Sequence, residues 1–179
     1  DVNHDGLLNI QDRQSILNFD PKFYGGLNNN FTFGAFQLDV FFQYVKQLGR
    51  NYIYNFSGSA PGFAFNQPVE ILDRWQSPGN QSNIQRVTTS DYTTLVAYSN
   101  LYNSTASMSD ASYIRLKNLS LSYSIPKNVL KRIGANVFVQ GQNLWTITSY
   151  KGADPESNGT ANAGIPPLRM WTFGFELNF

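Results

Sequence analysis

Cysteine is missing from the chain, and histidine occurs once, at position 4. The first absence excludes a disulfide framework and thiol chemistry. The second leaves no base for a serine- or cysteine-centred hydrolase, and His4 itself reads as a solvated loop residue. Charge is scarce too. Asp, Glu, Lys and Arg make up 14% of the residues, against roughly 25% in ordinary soluble domains. The formal net charge of +1 offers no footprint for nucleic acid, so no such partner is expected. No apolar run reaches the roughly 18 residues of a membrane-spanning helix. No phosphate-cradling glycine pattern precedes a helix. The carboxylate pairs Asp154 with Glu156 and Glu70 with Asp73 have the groups of a glycoside hydrolase but read as solvated loop charges. No enzymatic activity is expected.

What remains is rich in rings, at 15% aromatic, and in neutral amides and hydroxyls. The rings follow a period of two, the mark of a sheet with one apolar and one polar face. From Phe36 to Tyr44, Phe36, Leu38, Val40, Phe42 and Tyr44 share one side, while Gln37, Asp39 and Gln43 share the other, with Phe41 as an exception. A strand over Phe23–Phe33 precedes it, across a short turn at Gly34. Leu119, Leu121, Tyr123 and Ile125 repeat the pattern, as do Ala135, Val137 and Val139, where Phe138 breaks it. Trp171, Phe173, Phe175, Leu177 and Phe179 form the last stripe.

The reading is therefore all-β: a hairpin over 22–44, a long loop over 46–111, a hairpin over 113–144, a loop over 146–167 and a terminal strand over 170–179. Within the first loop, PVEILDRWQ (Pro68–Gln76) suits a short helix with Pro68 in its first turn. Short and long connections alternate. In an antiparallel meander all the long ones leave from one end, as in outer-membrane barrels. The apolar stripes would then meet lipid and the amides would line a wet lumen. The same alternation also fits a soluble β-sandwich that hides its apolar faces between two sheets.

The first twelve residues, DVNHDGLLNIQD, have calcium-loop spacing. Asp1, Asn3, Asp5, Asn9 and Asp12 carry side-chain oxygens, the Leu7 carbonyl supplies another, and Gly6 stands at the sharp turn. Position twelve is Asp rather than the usual Glu, so its reach is shorter. The expected occupant is a structural Ca²⁺, in a loop that resembles dockerin-type repeats. An Asx-rich turn without metal is the alternative. The chain opens at Asp1 inside this motif, as a piece of a longer protein would.

Several stretches resemble one family: SYIRLKNLSLSYSIP (112–126), VFVQGQNLWTITSYKGADPE (137–156), PPLRMWTFGFELNF (166–179), and the opening loop with DPKFYGGLNNNFTFGAFQLDVFFQ (20–43). They look like the C-terminal part of SusC/RagA transporters, TonB-linked outer-membrane proteins of the Bacteroidetes. The likeness covers nearly the whole chain and is weakest over about 51–111, where it reduces to RWQSPGN (74–80). It implies a barrel of about 22 strands, of which this chain would be the last five. The plug and the TonB-contacting region would lie elsewhere in the protein. It implies import of an oligosaccharide or peptide under a SusD-like surface lipoprotein, with TonB supplying energy. Phe179 would be read by the barrel-assembly machinery. Gln37, Gln43, Gln140 and Gln142 would line the lumen, and the partners would be lipid and the rest of the barrel. Trp75, Tyr92, Tyr98 and Tyr102 would stack on sugars, pack against the lid or stiffen the loop. The competing function is a soluble, calcium-stabilised surface domain that binds carbohydrate or a protein.

Overall fold

The structure, a computed structural model, describes residues 1–53, 62–126, 129, 133–157 and 165–178. The chain divides into two compact units. One comprises Asp1–Asp20, Leu48–Ala111 and Tyr150–Ile165; the other comprises Pro21–Gln47, Ser112–Ser149 and Pro166–Phe179.

The second unit is a five-stranded antiparallel sheet. Its strands are β1 (Phe23–Phe33), β2 (Phe36–Lys46), β5 (Tyr113–Ile125), β6 (Gly134–Thr148) and β7 (Met170–Asn178), in that spatial order. Sequence neighbours in this sheet are space neighbours, so it is a simple meander. Three strands have 11, 11 and 9 residues, near the roughly 9–11 that a tilted strand needs to cross a bilayer. The other two, at 13 and 15, run further. Phe179 and most of the turn after Pro126 lie outside the described residues.

Two strands outrun the sequence expectation. β2 continues past Tyr44 to Lys46, because Val45 still pairs with Tyr113. β6 continues past Leu144 to Thr148 through an irregularity: Leu116 faces Trp145 and Asn118 faces Gln142, which leaves Lys117 on one strand and Asn143 and Leu144 on the other without opposites. Asn143 takes the left-handed conformation (φ 51°) that Asn tolerates better than most residues. Such bulges bend a strand and break its period, which is why the sequence pattern stops there.

The first unit is not the featureless loop that its composition suggests. Leu48–Arg50 (β3) pairs with Met108–Asp110 (β4) as a short ribbon. An α-helix, α1, spans Tyr92–Tyr102, and Asp91 caps it by accepting from the Thr93 N–H. The stretch after Pro68 forms a short 3₁₀ helix over Val69–Asp73 around buried Ile71. Helix α1 contains no charged residue and no strong apolar stripe, so neither of the usual helix signals marks it.

Candidate functional site

The strand register sorts the sheet's side chains into two faces. One is apolar across all five strands. From the short-turn end, its rows begin with Ile125, Ala135 and Leu177. The next holds Phe33, Phe36, Tyr123, Val137 and Phe175. Then come Phe31, Leu38, Leu121, Val139 and Phe173. The fourth row is Asn29, Val40, Leu119, Gly141 and Trp171. Leu27, Phe42, Leu116 and Trp145 follow, then Gly25, Tyr44, Ile114 and Ile147. The Lys117 bulge shifts the parity of β5, and so Ile114 and Leu116 join Leu119 and Leu121 on one side. These rings are bare: Phe33 is 86% exposed, Phe173 77% and Phe175 73%. A continuous apolar face of this extent is unstable in water and marks a surface that meets something apolar. A sandwich needs a second sheet of similar size, and the other strand pair holds three residues a side.

The opposite face is built of amides, hydroxyls and few charges. Asn30 donates to Asp39, and Gln37 Nε2 donates to the same carboxylate at 3.1 Å. Gln140 lies opposite Ser120 and Thr172, and Gln142 opposite Asn118 and Met170. Tyr24, Gly26, Phe41, Gln43, Asn118 and Gln142 are among the residues around a depression of about 570 Å³ on this face. The four glutamines expected on the polar side, Gln37, Gln43, Gln140 and Gln142, all belong to it.

The two rings that broke the alternation have a common explanation. Phe41 and Phe138 stand on the polar face but reach over glycines of adjoining strands. A Cβ on Gly26 would come within 2.6 Å of the Phe41 ring, and one on Gly174 within 2.2 Å of Phe138. The rings cover backbone that glycine leaves bare, and the missing side chains make room for them. Arg115 is a functional-face residue that pattern reading missed. It is only 1% exposed, its Nε donates to Thr146 Oγ1 at 3.0 Å, and its guanidinium lies 5.2 Å from the Tyr113 ring centre. An arginine at a polar-side position between Ile114 and Leu116 is the signal that was there to be found.

In the first unit, Arg50 ties the ribbon to the helix. One guanidinium nitrogen donates to the Tyr102 carbonyl at 2.7 Å, the group sits 4.2 Å from the Tyr102 ring, and the Tyr150 hydroxyl donates to the Arg50 carbonyl at 2.8 Å. A cation at a helix C-terminus satisfies open carbonyls and complements the dipole. Burial raises the Tyr150 hydroxyl above its usual value. The Tyr52 hydroxyl donates to Glu70, which pushes the phenol up to about 12 and holds the Glu70 carboxyl below its ordinary range. The candidate carboxylate pairs thus serve structure. Glu70 accepts the hydrogen bond of the Tyr52 hydroxyl, and Asp154 accepts the Glu156 N–H at 2.8 Å in a short turn. Of the four loop rings, Tyr92 is exposed, Trp75 and Tyr98 are half-buried, and half-buried Tyr102 lies under Arg50.

The opening loop closes on itself. Asp1 accepts from the N–H groups of Asp5 and Gly6 at 3.1 and 2.9 Å, and Asp5 accepts from Leu7 at 2.8 Å. Asn9 accepts from Gln11 at 2.8 Å. Asp12 accepts from Asn9 and Val2 at 2.7 and 2.8 Å, and these two bonds hold its carboxyl below the ordinary 3.8. Gly6 has φ +79°, the turn that its place in the motif requires. Asp1, Asn3, Asp5, Asn9, Asp12 and the Leu7 carbonyl are hard oxygen donors and fit a Ca²⁺ ion in kind. Among the described residues, no three His, Cys, Asp or Glu side chains are placed to hold a metal. His4, also at positive φ, is exposed and takes no part.

No family model matches the chain. It is 29% identical over its full length to "TonB-dependent receptor P3" of Formosa agariphila, of which it spans 18%. It is 33% identical over 75 residues, 39% of the chain, to "TonB-dependent receptor SusC" of Bacteroides thetaiotaomicron, of which that match is 8%. Among solved structures it is similar to the RagAB peptide importer in its open-open and closed-closed states. Each match has a TM-score of 0.70 at 26% identity and covers 89% of this chain and 17% of the importer chain. The chain therefore spans less than a fifth of the relatives that it matches.

Proposed function

We propose, for a chain that belongs to the SusC/RagA-like TonB-dependent receptors of the outer membrane, that it forms a wall of a nutrient importer and part of its outer mouth. The observation that carries this reading is the bare apolar band on one face of the sheet, backed by an amide-rich face on the other. A span immersed in hydrocarbon must satisfy every backbone group, and only a closed barrel does so with strands. The free edges of β1 and β7 are therefore paired with strands from the remainder of the barrel. The apolar rows face acyl chains, and the amide rows face the water-filled path.

The connections over 46–111 and 146–167 belong to the outer surface, where a SusD-like lipoprotein lid would close over them. TonB would act through a region outside this chain. An oligosaccharide or a peptide suits the inner face, because both are largely neutral polymers that exchange hydrogen bonds with amides. The likeness to a peptide importer favours a peptide. Tyr92, exposed on α1, is the loop ring best placed to meet substrate or lid. The chain's own residues bind and orient; none performs bond chemistry.

The test is isolation of the full receptor from its native membrane. Extraction that requires detergent, a lipoprotein that co-purifies, and loss of uptake of one oligosaccharide or peptide on receptor deletion are expected. Release into buffer without detergent would overturn the reading. For the opening loop we propose a structural Ca²⁺ on Asp1, Asn3, Asp5, Asn9, Asp12 and the Leu7 carbonyl. Its support is the ligand spacing. Terbium luminescence that saturates and is lost in Asp5→Ala is expected; a silent wild type would leave an Asx-rich turn.

A further inference from the structure

The outward rows hold one amide. Asn29 lies directly opposite Val40, in the row that continues through Leu119 to Trp171. That row stands in the middle of the band, with apolar rows on both sides. Elsewhere the gaps are filled. Leu144 lies over Gly141, where an added Cβ would come within 2.6 Å of it, and Tyr44 lies over Gly25. Asn29 is half-buried, and its amide makes no side-chain hydrogen bond among the described residues. Its neighbours across the β1–β2 ladder are Val40 directly and Leu38 and Phe42 diagonally, none of which carries a polar side-chain group.

An amide at mid-height in hydrocarbon is costly without a partner. A short Asn side chain reaches only the adjacent strand, at about 4.5–5.5 Å between opposing Cβ atoms. β2 cannot satisfy it, and the other side of β1 is the free edge of the sheet. We infer that the barrel strand pairing with β1's free edge carries a hydrogen-bonding side chain (Asn, Gln, Ser or Thr) on its outward face, opposite or diagonal to Asn29. This rests on the outward face meeting lipid, as proposed above. The pair acts as a register pin at the seam between this sheet and the rest of the barrel. A one-residue slip would turn the amide's partner inward and leave Asn29 in acyl chains.

The experiment uses the full receptor in liposomes, with urea unfolding read by heat-modifiable mobility. Asn29→Thr and the near-isosteric Asn29→Val are compared. With a partner across the seam, Thr unfolds at the higher urea concentration. Equal midpoints, or a higher one for Val, overturn the inference. Asn29→Leu in the same assay is expected to lower the midpoint from wild type; an unchanged or raised midpoint counts against the pair. A parallel Val40→Trp variant reports on the underlying reading. Quenching by lipids brominated at mid-chain shows that this row meets acyl chains, so the seam inference can then fail alone. Absence of quenching means that the outward-face reading has failed instead.

Discussion

Tyr52 and Glu70 show what a single side chain adds to a loop of neutral residues. The phenol donates to the carboxylate, which raises Tyr52 to about 12 and lowers Glu70 from 4.5. The two shifts bound a pH window. A raised tyrosine contributes stability that is fully present below its unfolded value near 10 and is lost as pH climbs to about 12. A depressed glutamate contributes above 4.5 and loses its contribution as pH falls through its lower folded value. Glu70→Gln removes the negative acceptor, so the Tyr52 titration should return from about 12 toward 10. Difference absorbance of the phenolate between wild type and variant checks it, and an unmoved titration would contradict the assignment. Neither residue was legible as a pair: eighteen positions separate them in the numbering, and only the folded loop brings hydroxyl to carboxylate. The opening motif is the opposite case. Its oxygens sit close in sequence, so its spacing and its Gly6 turn were readable directly, while the hydrogen bonds that hold Asp12 were not.

Strands and helices differ in how openly they announce themselves here. The apolar half of β5 follows a strict period of two and was readable directly. Where backbone departs from that period, pattern reading stops early, as at Asn143 in β6. Helix α1 escaped notice because tyrosine, threonine, serine and asparagine fill it, and only the Asp91 cap marks its start. The misplaced rings Phe41 and Phe138 looked like errors in the alternation and are paired features of the sheet. Gly174→Ala puts a methyl carbon where the Phe138 ring lies, at 2.2 Å before relaxation. Overpacking of this kind costs about 1–3 kcal/mol. The expected result is a lower urea midpoint for the full barrel, and Phe138→Leu in the same chain should recover part of the loss. A Gly174→Ala barrel as stable as wild type would mean that the ring moves freely and does not cover the backbone.

At the scale of the whole molecule, the sides of the sheet meet different solvents, and adjacent residues should report it. Leu119 is on the apolar face and Ser120 on the amide face. In the full receptor in lipid, Leu119→Arg should lower unfolding free energy by about 2–4 kcal/mol, the range for a cation near mid-bilayer. Ser120→Arg should change it by roughly 1 kcal/mol or less, because its side chain stays in water. Equal penalties, measured by urea titration in liposomes, would refute the division of faces. Residue order alone determined the all-β class, the alternating faces and the candidate cation loop, because period and spacing are local properties of a chain. It also carried the resemblance to the receptor family in its terminal stretches. Only the tertiary structure decided which residues share a row, where the bulge shifts parity and where Arg50 and Arg115 go. It alone also showed that the apolar rows stay bare. Those facts depend on partners distant in sequence, and cross-strand register, unlike periodicity, exists only once the strands have paired.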